Sequence, residues 1–398
     1  MRFVHVEDFF HPDAGYQLNL LAKLQVQQGH EVFIIASEMD KVPNHLKSFF
    51  GDKSIKKKDS LYFSKTGVKI IRCPSFFWYS GRAVLKNKIF KLIKSVNPDL
   101  LFIHGESTLT GIRLLLKFKK INVPYVIDSH MLEMASLNRF KDLFRIIYRT
   151  FITPIILKND IPLIRVVDTD FVEKHFKIPL YKTNLLSFGT DVEFFKPNES
   201  FKKSYRMEMG FEKNDFIVLY AGKLNEDKGG LFLSRAIQEK FKSESIKFVI
   251  VGNTAMDNYG KEVEEIFSNS ENKIYRFPTQ LYSNLVKFYQ LADIAVYPKQ
   301  CSMSYFEAQS CSLPVVLEQN EINDERVSNQ KGILFESGSV IQFRDAITEF
   351  SNMSENEIMI FKKNARENIL ENFNYTHIAQ AFTDIMVKTF NNFNFLKN

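Results

Sequence analysis

Short apolar runs alternate with longer amphipathic stretches along most of the chain. Residues 2–6 (Arg-Phe-Val-His-Val) read as a buried strand, and a Pro/Gly loop, His11-Pro12-Asp13-Ala14-Gly15, follows it. A helical pattern over 17–28 then places Leu18, Leu21, Ala22 and Leu24 on one face, and Gly29-His30 ends it before a strand at 31–36. The rhythm predicts further strands at 68–72, 99–103 and 124–128, with helices over 85–94 and 109–119 between them. Residues 53–58 read as an exposed loop. Residues 182–197 break the rhythm and precede a polar stretch, 198–214, so this region reads as a linker. A second series predicts strands at 216–222, 247–252, 274–277, 292–297 and 313–317, and a closing helix begins near Tyr375 and runs to about Phe390. Short apolar strands separated by helices imply parallel sheets covered on both faces. The expected fold class is α/β: two doubly wound, Rossmann-like domains, 1–188 and 189–374, followed by a terminal helix, 375–398.

Composition narrows the class. Of 398 residues, 45% are hydrophobic and 25% charged, which excludes a disordered chain. No apolar run approaches the ~18 uncharged residues of a membrane-crossing helix, and charge appears too early in Met1–Asp8 for a secretory leader. Cys73, Cys301 and Cys311 have unrelated spacings, which suit neither a disulfide framework nor a zinc site; a cytoplasmic protein with reduced thiols is expected. The net charge of +7 is uneven, with a basic excess in the first half and an acidic excess in the second. That asymmetry points to an anionic partner for the first half, either nucleic acid or a membrane surface.

Three segments of the second half carry candidate chemistry. Gly222-Lys223 to Lys228-Gly229 follows a strand and opens a helix, so glycine permits close backbone approach while two lysines flank an anion such as a diphosphate. Solvated loop charge is the plain alternative. Ser302 or Ser304 caps a helix that carries Glu307 one turn in, where a carboxylate accepts hydrogen bonds from vicinal hydroxyls or merely complements the helix dipole. Asp324-Glu325-Arg326 is either a cleft edge or an ordinary helix start.

The order of these pieces resembles the retaining glycosyltransferases of family four, with the GT-B fold. The resemblance rests on Asp13-Ala-Gly15 after the first strand, Phe188-Gly189-Thr190-Asp191 to Pro197 in the linker, Gly222-Lys223-Leu224 with Lys228-Gly229, and Glu307-Ala-Gln-Ser-Cys-Ser-Leu-Pro314. It implies two domains facing a cleft, a terminal helix crossing back to the first, an acceptor site in 1–188 and a nucleotide-sugar donor site in 189–374. By residue, it implies that Lys223 and Lys228 hold the donor diphosphate, that Glu307 binds ribose hydroxyls and that Gly15 approaches donor and acceptor. His130 is the acceptor-side histidine, which positions the donor sugar and phosphate. The family's other glutamate falls at Lys299 here, a departure that suggests an anionic donor sugar or a side chain turned to solvent. A helix start near Ser302 and Ser304 would add to the field of the two lysines. No cofactor and no metal are expected, since the nucleotide-sugar is a substrate and cationic side chains replace Mg²⁺.

Weaker candidates sit beside these. His104 and Glu106 follow the neighbouring strand and are acceptor-side candidates. Asp168 and Asp170 resemble a metal-binding pair but read better as helix-capping residues, and Glu106 with Asp128 makes a poor glycosidase pair. Two rival functions are a GT-B sugar-nucleotide epimerase and a basic nucleic-acid-binding protein, although no readout motif supports the latter. The expected partners are a nucleoside-diphosphate sugar and a glycan or lipid-linked acceptor, as in bacterial surface-polysaccharide or lipopolysaccharide assembly, with no nucleic acid. Arg82, Lys86, Lys88, Lys91 and Lys94 beside the aromatic run Ser75-Phe-Phe-Trp-Tyr79 suggest peripheral docking on the inner face of the cell membrane.

Overall fold

The structure is a computed structural model, and it describes residues 1–39, 42, 54–79, 81–131, 140–299, 304–320 and 322–395. The chain divides into two compact units, Met1–Phe188 with Tyr375–Asn398, and Gly189–Asn374. Both are doubly wound parallel sheets.

In the first unit, strands β1 (Arg2–Val6), β2 (Glu31–Ser37), β3 (Lys69–Cys73), β6 (Leu100–Ile103), β7 (Tyr125–Ser129), β8 (Leu163–Arg165) and β9 (Thr183–Leu185) form one sheet in the order β3-β2-β1-β6-β7-β8-β9. All its pairings are parallel, with Val4 opposite Phe33 on one side and Leu101 on the other. Strand order reverses between β1 and β6, so the loops after these strands diverge and leave a crevice at their carboxyl ends. The helix Tyr375–Phe395 packs Tyr375, Ile378, Phe382 and Met386 with Phe3, Leu100, Phe102 and Val126, completing the core under one sheet face.

Several elements differ from the pattern reading. The predicted helix 85–94 begins only at Lys88; Ser75–Tyr79 (β4) and Arg82–Leu85 (β5) pair instead as an antiparallel hairpin. Gly81 takes φ +75° in the turn. Over so few residues, Val84, Leu85 and Ile89 satisfy a helical period as well as a strand one. The predicted loop 53–58 is, from Ile55 onward, the first turn of the helix Ile55–Thr66, whose polar surface hides it from a hydrophobic-period search; Lys53 lies outside the described residues. Within the expected linker, Thr183–Leu185 is the edge strand β9. The predicted helix 109–119 breaks into Leu109–Leu115 and Phe118–Ile121.

The second unit has β10 (Phe216–Ala221), β11 (Ile246–Val251), β12 (Ile274–Phe277), β13 (Ile294–Tyr297), β14 (Val315–Glu318) and β15 (Gly332–Phe335) in the order β12-β11-β10-β13-β14-β15. Its reversal lies between β10 and β13. The polar stretch after residue 197 is a helix, Glu199–Glu208, whose Asn198 side chain accepts from the Phe201 amide at 3.0 Å. Its Lys202 and Arg206, one turn apart, reach the same buried carboxylate, Asp293, at 2.9 and 2.6 Å. Arg366, on the helix Glu355–Asn372, binds the carbonyls of Val192, Phe195 and Ser310 and so fastens the start of the unit to its end.

Candidate functional site

In the first unit, the carboxyl ends of β1, β6 and β7 carry a chain of buried polar side chains. Asp128 Oδ2 lies 2.7 Å from His104 Nδ1 and 3.2 Å from His130 Nε2, while its Oδ1 accepts the Gly105 amide at 2.6 Å. His104 Nε2 is 2.9 Å from His5 Nδ1, and His5 Nε2 is 2.7 Å from Gln25 Oε1. Gln25 in turn donates to the Met386 sulfur at 3.1 Å. Burial, reinforced by the neighbouring His104, pushes the His5 ring down to about 3, so it stays neutral. With Gln25 Oε1 accepting, His5 carries its hydrogen on Nε2 and accepts from His104 Nε2–H. His104 then meets Asp128 with its other nitrogen. Burial alone would raise the Asp128 carboxyl, but His130 and His104 hold it well below the usual range. The same carboxylate outweighs desolvation at His130 and raises that ring. His104, Asp128 and His130 bring three ligand-type atoms within 4.8 Å of one another. Their mutual 2.7 and 3.2 Å separations are those of a hydrogen-bond relay, with both rings already spent on the carboxylate.

Around the relay lies a second charged group. Arg82, on the hairpin, contacts Asp8 at 2.9 Å and Glu7 at 3.6 Å. Glu106 is fully buried; it accepts from Ser129 Oγ at 3.0 Å, and burial raises its carboxyl to about 7. Arg82, Glu106 and His130 line a cavity of about 540 Å³ whose remaining walls include Tyr79, Phe144 and Phe171. Its lining is mainly apolar, with a few convergent polar groups, as in many small-molecule sites.

In the second unit, backbone runs at close quarters where β10 and its neighbour β11 end. Gly222 donates its amide to the Val251 carbonyl, and the Gly252 α-carbon lies so close that a Cβ there would fall 1.8 Å from the Gly222 oxygen. Gly252 also takes φ +143°, a conformation side-chain-bearing residues rarely adopt. Gly252→Ala should therefore cost the unit roughly 2 kcal/mol or more, a fall in melting temperature of at least about 4 °C. Scanning calorimetry of the variant checks this.

The Asn225 side chain accepts from the Lys228 amide and forms the short turn Glu226–Lys228. Lys223 is half-buried, and desolvation lowers its ammonium. Lys299, leaving β13, donates to the Glu226 carbonyl at 3.3 Å, and its Cβ side packs on Gly229. The structure thus gathers the loop of Lys223 and Lys228 against Lys299. Ser304 begins the helix Ser304–Ser310, and its carbonyl accepts from Tyr297 Oη at 2.7 Å; Ser302 and Cys301 lie outside the described residues. Glu307 is buried, and Tyr289 Oη donates to it at 2.8 Å. Burial raises its carboxyl to about 7, against the Tyr289 hydrogen bond that lowers it.

The family model described as "Glycosyl transferases group 1" matches residues 201–368, nearly all of the second unit. Through its second unit the chain is similar to the group 1 glycosyl transferases. Over 159 residues it is 24% identical to a D-inositol 3-phosphate glycosyltransferase of Segniliparus rotundus, covering 38% of this chain and 34% of that one. Across curated relatives the match spans 34% to 57% of their length. Among solved structures, a glycosyltransferase from Rickettsia africae superimposes with a TM-score of 0.75 at 18% identity, over 98% of each chain. Anabaena HepE, solved in complex with UDP-glucose, gives 0.71 at 16% identity, over 98% of this chain and 100% of that one. Likenesses at this identity establish the GT-B fold.

The sequence candidates fall into two sets. His104, Glu106 and His130 come together in the first unit. Gly222, Lys223, Lys228, Lys299, Ser304 and Glu307 surround the β10 and β13 ends of the second. Gly15 lies half-buried in the loop before the helix Gln17–Gln27. Asp168 pairs with Arg165 at 3.0 Å; Asp170 occupies the N-cap position of the helix Phe171–Phe176, but its side chain makes no capping bond there, contrary to the capping expected of it. Asp324, Glu325 and Arg326 belong to the short helix Asn323–Val327. Four participants escaped the sequence reading: His5, Gln25, Gly252 and Tyr289. Only Gly252 carried a signal, a glycine ending an apolar strand run. The others lie inside strand or helix patterns, where a polar residue announces itself only through its partner.

Proposed function

We propose that this protein is a glycosyl transferase that moves a sugar from a nucleoside-diphosphate sugar bound by its second unit to a glycan or lipid-linked acceptor bound by its first. The observation that carries the donor half is the β10–β13 crevice, where Gly222 and the loop of Lys223 and Lys228 meet Lys299 from β13 inside the family-matched span. Lys223 and Lys228 would stabilise charge on the departing diphosphate, the part Mg²⁺ plays elsewhere, so the reaction is read as metal-independent. Glu307, oriented by Tyr289, would accept from the ribose hydroxyls. The solved complex of HepE with UDP-glucose supports a uridine nucleotide as first choice. On the acceptor side, His130 held by Asp128 would offer an N–H to the donor sugar or its phosphate. Retention of anomeric configuration is read as front-face attack, the departing phosphate taking the acceptor proton.

Thermal-shift screening against nucleoside diphosphates and their sugars tests the donor half, because a true ligand stabilises by mass action: about 2.7 kcal/mol at a hundredfold excess over Kd. Stabilisation by one nucleotide family is expected, followed by acceptor-dependent release of nucleoside diphosphate. Conversion of the nucleotide-sugar to its epimer without any acceptor would instead fit the epimerase. No shift with any nucleotide would refute the donor site.

A further inference from the structure

The helix Lys141–Ile147 continues through a π-helical turn, Tyr148–Ile152, into the helix Thr153–Lys158, and it is apolar on both sides. Phe144, Tyr148 and Ile152 face the core. Phe140, Leu143, Ile147 and Phe151, spaced i, i+3, i+7 and i+11, face outward and are 48% to 62% exposed, with Ile146 beside them at 51%. A single exposed apolar residue needs no explanation, but a continuous outward stripe does. A second apolar surface lies on the hairpin, where Phe76, Phe77 and Tyr79 are 47% to 52% exposed. Tyr79 from the hairpin and Lys141, Phe144 and Arg145 from the helix line the same cavity as His130 and Glu106, so the two surfaces flank it.

Charge says what covers them. The Lys86 amide binds Pro74 at the hairpin base, Arg113 stacks over Phe76, and the Lys86 and Lys88 side chains are exposed there; Lys141 and Arg149 are half-exposed on the helical segment. Apolar side chains that project outward among cations match an anionic bilayer surface, which takes the apolar groups below its headgroups and the cations at their level. Among the described residues no helix is long and apolar enough to cross a membrane.

We infer that the segment 140–151 and the hairpin 75–79 form an interfacial membrane-docking surface around the mouth of the first-unit cavity, which takes its acceptor from the anionic leaflet as a lipid-linked molecule. This inference rests on reading that cavity as the acceptor site. It also moves the docking surface foreseen from sequence. The apolar face of Lys88–Val96, with Ile89 and Ile93, is buried in the core, so that helix offers only its lysines.

Flotation of the full chain with phosphatidylcholine vesicles, and with vesicles containing phosphatidylglycerol, tests it at low and high salt. The wild type is expected to float with the anionic vesicles, less so as salt rises. The combined substitutions Leu143→Ser, Ile147→Ser and Phe151→Ser should weaken binding at least about tenfold, and Lys86→Ser with Lys88→Ser should remove much of its salt dependence. The nucleotide-induced thermal shift should be unchanged in both variants, which shows that they fold. Wild type that stays unbound with anionic vesicles at low salt, or a serine variant that binds as well as wild type, overturns the inference. So does light scattering that shows a dimer dissolved by the serine substitutions without vesicle binding, since the stripe would then cover a second copy. Vesicle binding without any nucleotide shift would count against the donor reading and leave the docking surface standing.

Discussion

Lys228→Ala should lower kcat about 10²- to 10³-fold at saturating donor while raising donor KM much less. Its amide is fixed by Asn225, so the loop keeps its shape without the side chain. What disappears is a positive charge whose stabilising effect grows as the diphosphate departs, and that places the loss in kcat. Glu307→Gln should behave differently. The amide oxygen still accepts from Tyr289, so the helix Ser304–Ser310 stays seated, but charge-assisted acceptance of ribose hydroxyls is lost and donor KM rises with kcat nearly kept. Initial-rate measurements over donor concentration distinguish the two. Unaltered parameters in both variants would remove the second unit's crevice from donor chemistry.

The largest effect on stability is expected at Asp293. This carboxylate sits against Lys202, Arg206 and the Ile217 amide, with Lys362 at 4.0 Å. Removing it by Asp293→Ala leaves three half-buried cations without their carboxylate, and breaking a buried pair typically costs about 3–5 kcal/mol. Burial opposes its ionisation, yet Lys202, Arg206 and Lys362 hold it down to about 2 from the ordinary 3.8. A carboxyl lowered by folding stabilises the native state fully above its unfolded value, and that contribution disappears as pH falls through the folded one. The wild type should therefore lose this share of stability between about pH 4 and pH 2, and the variant should show no such step. Urea melts of both proteins across that range give the comparison; parallel curves would mean the pair contributes nothing.

Asp293 also shows where sequence reading stops. The strand that follows it was legible because Ile294–Tyr297 is uniformly apolar, as is Phe216–Ala221, whereas the edge strand Gly332–Phe335 was not read as a strand. Glu199–Glu208 was read only as a polar stretch after the linker, because its helical signal lies in two cations whose partner is about ninety residues away. The Lys223–Lys228 loop and Glu307 were found because backbone glycines and helix starts are local features. The relay His5–His104–Asp128 was found only at its strand ends. His5 alternates with Val4 and Val6 in a buried strand, and its role exists only once β6 and β7 lie beside β1. The hairpin 75–85 was misread because four residues cannot separate a period of two from one of 3.6.

The helix Tyr375–Phe395 has a consequence for biosynthesis. The second unit is one uninterrupted stretch of chain, so it can close its core as soon as residue 374 has left the ribosome. The first unit cannot: Phe3, Leu100, Phe102 and Val126 stay uncovered until Ile378, Phe382 and Met386 have also been made. The first unit is thus sealed after the second, although most of it is made before, and a message truncated before codon 375 would yield a sound second unit joined to an open, protease-sensitive first one.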